Sequence, residues 1–218
     1  MPARPKLSDR AARHDPAYLR AKRENFAARA VYKLEEIDRK FGLFRPGARV
    51  IDLGAWPGSW LQYAAQRVGP TGQLYGVDLR PLTIALPAGS TTIVADVFEW
   101  VPPTDRSFDV LLSDMAPQTT GDRHNDKWRS EELAFRALEI AQKILRPGGH
   151  MVVKVFQGGR FPELIAAIRR AFQEARPYHA KNTRVTSSEQ YLVARGLRAN
   201  IARAAQAPDH EPAPGGEA

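Results

Sequence analysis

"VIDLGAWPGSW", residues 50–60, is a short apolar run that ends in an acid and turns at once through two glycines, a proline and two tryptophans. The apolar part reads as a strand buried on both faces. "SWLQYAAQRVG" (59–69) beyond it reads as a helix stopped at Gly69-Pro70. Glycines in such a strand-to-helix turn let the backbone approach a ligand where a β-carbon would collide. Outward from this turn, strand and helix alternate. "QLYGVDL" (73–79) and "TTIVAD" (91–96) read as strands ending in acids, and "FDVLLSD" (108–114) as another. A helix from about Trp128 to Leu145 ends at "RPGG", followed by the strand "HMVVKVF" (150–156) and the helix "FPELIAAIRRAF" (161–172). Upstream, "NFAARAVYKLEEIDRKFGLFRPG" (25–47) reads as one helix, with Asn25 as cap, Phe26, Ala30, Leu34, Ile37 and Phe41 at helical spacing, and Gly42 as stop. "RPYHAKNTR" and "SEQYLVARG" follow as two strands with only a polar turn between them. The alternation predicts a parallel sheet with helices on both faces, and the last pair an antiparallel hairpin at one edge. That is a doubly wound α/β fold with a modified end.

Composition bounds what such a fold can do. At 218 residues and 43% hydrophobic content, the chain fits one globular domain with appendages. With no cysteine, a disulfide framework and cysteine-ligated zinc are excluded. His14, His124, His150, His179 and His210 lack metal-ligand spacing, so no metal is expected. No apolar run approaches the length that spans a bilayer. The N-terminus lacks the apolar core of a secretory signal, and Asp9 and Asp15 count against a mitochondrial presequence. A cytoplasmic protein with no membrane partner is expected. The net charge of +8 and pI near 10.0 favour a nucleic-acid partner. Residues 1–25 carry Arg4, Lys6, Arg10, Arg13, Arg20, Lys22 and Arg23, and read as a basic arm. A folded domain over 26–198 follows. The tail 199–218, rich in Pro and Gly toward its end, is expected to be disordered.

In doubly wound folds the ligand sits beyond the carboxyl ends of the strands. A dinucleotide turn would read G-x-G-x-x-G, whereas Gly54 and Gly58 stand in G-x-x-x-G with a proline between them. A nicotinamide oxidoreductase is therefore disfavoured. An acid before such a turn resembles S-adenosylmethionine sites, where Asp52 can organise the loop around the amino-acid end of the ligand. Asp78 can accept both ribose hydroxyls of an adenosine, and Asp96 the adenine amine. Asp52, Asp78, Asp96 and Asp114 all end strands and would line one edge of the sheet. Lys154, inside the apolar "MVVKVF", is costly to bury unless it is paired or functional.

With these residues in place, the chain resembles the FtsJ-type RNA ribose 2′-O-methyltransferases, and among them the bacterial members that methylate a uridine of large-subunit ribosomal RNA. The resemblance runs from about Tyr18 to Gly196 and rests on "ARAVYKLEEID", "DLGAWPGSW", "LLSDMAP", "VVKVFQG" and "SSEQYLVARG", in that order. It implies a Rossmann-like methyltransferase sheet of seven strands, mostly parallel with the last antiparallel, and S-adenosylmethionine as cofactor. It implies a catalytic tetrad at Lys33, Asp114, Lys154 and Glu189, and cofactor contacts at Gly58, Trp60, Asp78, Asp96 and Asp114. Within that tetrad a lysine takes or orients the ribose 2′-hydroxyl proton, the two acids fix it, and Lys33 stabilises charge on oxygen. The implied partner is ribosomal RNA in the large subunit, and the protein is expected to be a monomer. Ala27-Ala28-Arg29-Ala30 stands where the family commonly has Arg-Ser-Arg-Ala, and Trp56 and Ser59 replace its usual alanine and glycine. Transfer RNA is the alternative substrate. A non-catalytic RNA-binding assembly factor is the alternative of another class, disfavoured by the intact tetrad.

Overall fold

The computed structural model describes residues 15–103, 105, 107–118, 120–181 and 188–204, the side chains of 202–204 excepted. Seven strands form one sheet: β1 (Arg49–Leu53), β2 (Gln73–Asp78), β3 (Thr91–Val94), β4 (Phe108–Ser113), β5 (Leu145–Phe156), β6 (Phe172–Tyr178) and β7 (Glu189–Leu197). Their order is β3-β2-β1-β4-β5-β7-β6. The first five strands pair in parallel, and β7 runs antiparallel to both β5 and β6. The expected hairpin at the edge is therefore present, with its second strand inserted against β5. Around "RPGG" the β4–β5 register shifts between Phe108 and Val110, so the chain bulges before entering the regular part of β5.

Six helices are described: α1 (Pro16–Arg23), α2 (Val31–Phe41), α3 (Ser59–Val68), α4 (Arg123–Ile144), α5 (Phe161–Ala171) and α6 (Ala199–Ala204). Alternate residues of the central strands face opposite layers, as a period of two requires. Ile51, Leu53, Leu111, Val153 and Val155 pack with α4 and α5, whereas Val50, Leu112, Val152 and Val193 pack with α2 and α3. Both faces of the sheet are thus covered.

The single helix expected from Asn25 is instead two. Asn25 has φ +59° and ends a turn after α1, and α2 begins only at Val31. Phe26 does not belong to the main core. It meets Tyr32 edge-on at 6.3 Å in a small cluster with Ala21 and Val31. Part of the basic arm is consequently folded: Asp15 caps α1 through the amides of Ala17 and Tyr18 and pairs with Arg29. The arm's residues before Asp15, and the tail beyond Ala204, lie outside the described residues. The helix expected from about Trp128 starts earlier, at Arg123, because Asp122 accepts from the amides of His124 and Asn125. The polar stretch 121–128 is therefore mostly helical.

Two polar ties hold the elements that flank the sheet. Glu131 of α4, buried, accepts from the amides of Gly158 (3.0 Å) and Arg160 (3.3 Å), and Ser130 accepts from Phe156 (2.9 Å), fastening the chain that leaves β5. Asp38 of α2, also buried, accepts from the amide of Leu43 (2.9 Å), the Tyr63 hydroxyl (2.9 Å) and Arg67 Nε (2.8 Å), binding α2 to α3. Asp38→Ala leaves these donors without their acceptor and should destabilise the protein by about 3 kcal/mol, the upper end for stranded buried partners. A urea unfolding midpoint unchanged by this substitution would contradict that role for Asp38.

Candidate active site and cofactor cavity

In a parallel sheet every strand points the same way, so acids at strand ends gather at one edge. Asp52 lies within β1, Asp78 ends β2, Asp96 follows β3 and Asp114 follows β4. The strand order reverses between β1 and β4, and a cavity of about 910 Å³ opens there, on the α4 side of the sheet. Gly54, Asp78, Asp96, Val97, Asp114 and Met115 line it, with Trp128 and Leu133 of α4 opposite. Gly54, at φ +76°, lies against the chain after β4: a β-carbon there would meet Met115 Cγ at 2.6 Å. Gly58, at φ +106°, caps α3, and a β-carbon there would strike Ile84 Cδ1 at 2.2 Å. Both turn glycines are required by their positive φ, and Gly54 also by the Met115 backbone beside it.

Asp78 and Asp96 are held in orientation by backbone donors. Asp78 accepts from the amides of Trp56 and Arg80, each at 2.9 Å, and Asp96 from that of Phe98 at 2.9 Å. Each carboxylate keeps further lone pairs for a ligand. Asp52 lies deeper, buried and outside the cavity lining, and its Oδ1 is without a hydrogen-bond partner. Burial, followed by the neighbouring Asp114 and Asp78, pushes its pKa well above the usual carboxylate range, and Lys154 works against them. This edge thus disfavours a further negative charge.

Of the tetrad positions, Asp114 alone lines the cavity. Lys154 is buried to 8% exposure and paired: its Nζ lies 3.1 Å from Asp114 Oδ1 and donates to the Asp114 carbonyl at 2.6 Å. Lys33 of α2 donates to Glu189 Oε1 at the start of β7. The structure brings all four together around a residue that sequence reasoning missed, Tyr191. It is fully buried, stands opposite Lys154 in the β5–β7 register, and donates from its hydroxyl to Asp114 Oδ1 at 3.1 Å. Lys33 Nζ lies 5.8 Å from its ring centroid. Burial, then the charges of Asp114 and Glu189, raise the Tyr191 pKa well above its ordinary value, so it remains a donor. Period-two spacing from Glu189 was the available signal.

Gly58 and Trp60 stand apart from this cavity lining. Trp60 is buried beside Tyr191 (5.9 Å between centroids), and its indole N–H donates to the Ala30 carbonyl at 3.0 Å. In this structure it braces the start of α2, and hence Lys33.

A family model described as FtsJ-like methyltransferase matches residues 26–197. The chain belongs to this family. A protein named "Ribosomal RNA large subunit methyltransferase E" from Syntrophobacter fumaroxidans is 44% identical over 191 residues, covering 84% of this chain and 96% of that one. Its namesake from Nitratidesulfovibrio vulgaris is 43% identical over 190 residues, covering 84% and 93%. A solved Plasmodium falciparum structure described as a ribosomal RNA methyltransferase superposes with a TM-score of 0.69 at 23% identity, over 79% of this chain and 98% of that one. The Rossmann-like methyltransferase fold, with its antiparallel seventh strand, is that of the family.

Family members use S-adenosylmethionine, and the residues present fit it. The carboxylates of Asp78, Asp96 and Asp114 at the cavity would repel the pyrophosphate of a dinucleotide and favour a ligand bearing ammonium and sulfonium charge, and the orphaned Asp52 oxygen behind them is an acceptor still to be satisfied. Asp52→Asn separates the two sides of this design. A carboxyl group with a raised folded-state pKa destabilises the ionised protein, and that cost is absent below the ordinary carboxylate range and grows as pH rises toward the folded value. Asp52→Asn should therefore raise the thermal midpoint of the ligand-free protein at neutral pH, with the gain vanishing on acidification. It should weaken binding of S-adenosylmethionine by titration calorimetry. A gain independent of pH would contradict the raised pKa.

Proposed function

We propose that this protein is an S-adenosylmethionine-dependent RNA ribose 2′-O-methyltransferase whose target is a uridine of large-subunit ribosomal RNA, acting in the cytoplasm as a monomer. The observation that carries the reading is the Lys154–Asp114 pair, which joins a buried lysine to an acid of the cofactor cavity. The names of its relatives support the substrate. Among the described residues, no helix is long and apolar enough to cross a membrane.

Bound S-adenosylmethionine supplies a methyl group already activated on a positively charged sulfur. The protein's share is to hold a ribose 2′-oxygen in line with that methyl and to manage one proton. Asp78 accepts from ribose hydroxyls of the cofactor, Asp96 from its adenine amine, and Gly58 and Trp60 shape the loop behind its amino-acid end. Asp114 fixes Lys154 from two oxygens, leaving one of the three ammonium donor directions for the substrate hydroxyl. Lys154 orients the 2′-hydroxyl and, in its neutral form, takes the proton. Lys33, steadied by Glu189, offsets the charge that develops on the oxygen.

Outside the cavity, the exposed Lys22 and Arg23 of α1 offer charge to the RNA backbone. Arg20 is less available, because it pairs with Glu24 and Glu35 and stacks on Tyr32 at 4.1 Å.

Mapping ribose methylation in RNA from cells with and without this protein tests the substrate. Loss at one large-subunit uridine is expected, and loss confined to transfer RNA would overturn it. Lys154→Ala should lower turnover by about 10³-fold, within the range for a lost proton-transfer group, while cofactor affinity is retained. Near-normal turnover would remove Lys154 from the chemistry. Asp78→Asn should instead weaken cofactor binding by about tenfold, the loss of one charge-assisted acceptor. An unchanged affinity would contradict its placement at the ribose.

A further inference from the structure

The proposed chemistry makes no use of the Trp56 side chain. Its amide is committed to Asp78 Oδ2, and the amide of Arg80 to Asp78 Oδ1. One carboxylate therefore anchors both backbones, and their side chains meet beside it: the Arg80 guanidinium carbon lies over the indole, 3.5 Å from the ring centroid. Both residues line the cavity. Yet Trp56 is 42% exposed and the Arg80 side chain 60% exposed, whereas Asp78 between them is sheltered at 11%. The pair sits at the rim, not on the floor. Among the described residues, every exposed Phe or Trp lies in the lining of this cavity: Trp56, Phe98 and Trp128. Large aromatics left in water at one mouth mark a contact surface.

We infer that the Arg80–Trp56 stack is a platform for an unpaired nucleotide of the substrate RNA next to the one being methylated. The inference rests on the RNA methyltransferase reading and adds a subsite to it. Single-stranded RNA is recognised by stacking its bases on aromatic rings and on arginine planes, and its phosphates attract the guanidinium edge. An exposed arginine held over a tryptophan offers both at once, and cation–π contact holds the guanidinium over the ring. Charge decides against the cofactor as occupant. The part of it assigned to Asp78 is an uncharged ribose, which calls for hydroxyl acceptors and not for a cation at the rim. A duplex, with its bases already stacked, gains little from such a platform.

The test measures binding of a short oligouridylate, a duplex of equal length and S-adenosylmethionine to the full chain and to Trp56→Ala, Trp56→Phe and Arg80→Gln. Trp56→Ala and Arg80→Gln should each weaken oligouridylate binding about tenfold, the loss of one base–side-chain stack, and duplex binding much less. Trp56→Phe should restore most of the loss, which separates a stacking role from damage to the loop. The inference is overturned if the oligouridylate binds all four proteins alike. It is also overturned if the substitutions weaken S-adenosylmethionine and not the oligouridylate, which would make the stack part of the cofactor pocket. Failure of the unsubstituted protein to bind either RNA would sink the RNA reading itself, and this inference with it.

Discussion

The interaction on which the rest depends is the ion pair between buried Lys154 and Asp114, which lines the cavity. A parallel sheet delivers its strand-end acids to one edge, and here Asp52, Asp78 and Asp114 are close enough to raise the cost of ionising Asp52. Such a cluster would be untenable in a dry interior without a compensating cation. Lys154 supplies that cation from the middle of the sheet. In return, two oxygens of Asp114 satisfy a lysine that would otherwise be stranded among valines. Each group makes the burial of the other tolerable, and the residual negative charge defines what the cavity attracts.

That pair also joins two halves of the molecule. The cavity lies on the α4 side, whereas Tyr191, with Lys33 and Glu189 beside it, lies on the side covered by α2 and α3. Asp114, at the tip of β4, is where they meet. The neighbouring elements hold this junction from both sides. Glu131 and Ser130 grip the chain leaving β5, Asp38 binds α2 to α3, and Tyr178 at the end of β6 donates to Glu36 of α2 at 2.5 Å. Lys33 and Glu189 come from opposite ends of the chain, so their meeting depends on these ties.

Much of this was legible in the amino-acid order, for identifiable reasons. Strand and helix alternation, the acids at strand ends and the isolated Lys154 are local patterns, and they survive in the structure except that Asp52 lies within β1, buried outside the cavity lining. Asn25 misled because Phe26 and Ala30 keep helical spacing. Spacing does not reveal that Phe26 packs with Tyr32 in a separate cluster, or that Asn25 takes a positive φ. The early start of α4 was hidden because its first turns are polar and the Asp122 cap resembles any loop aspartate. The association of Lys33 with Glu189, and of both with Tyr191, is a long-range product of the β5–β7 pairing. Family resemblance pointed to the first two; for Tyr191 the sequence offered only its period-two spacing from Glu189.

The central claim is that this edge of the sheet transfers a methyl group to a ribose oxygen of large-subunit RNA. The most direct measurement incubates the purified protein with methyl-labelled S-adenosylmethionine and large ribosomal subunits that lack the modification, then digests the RNA to nucleosides. The account predicts label in a single 2′-O-methylated uridine. Label on a nucleobase, or none despite cofactor binding, would contradict it.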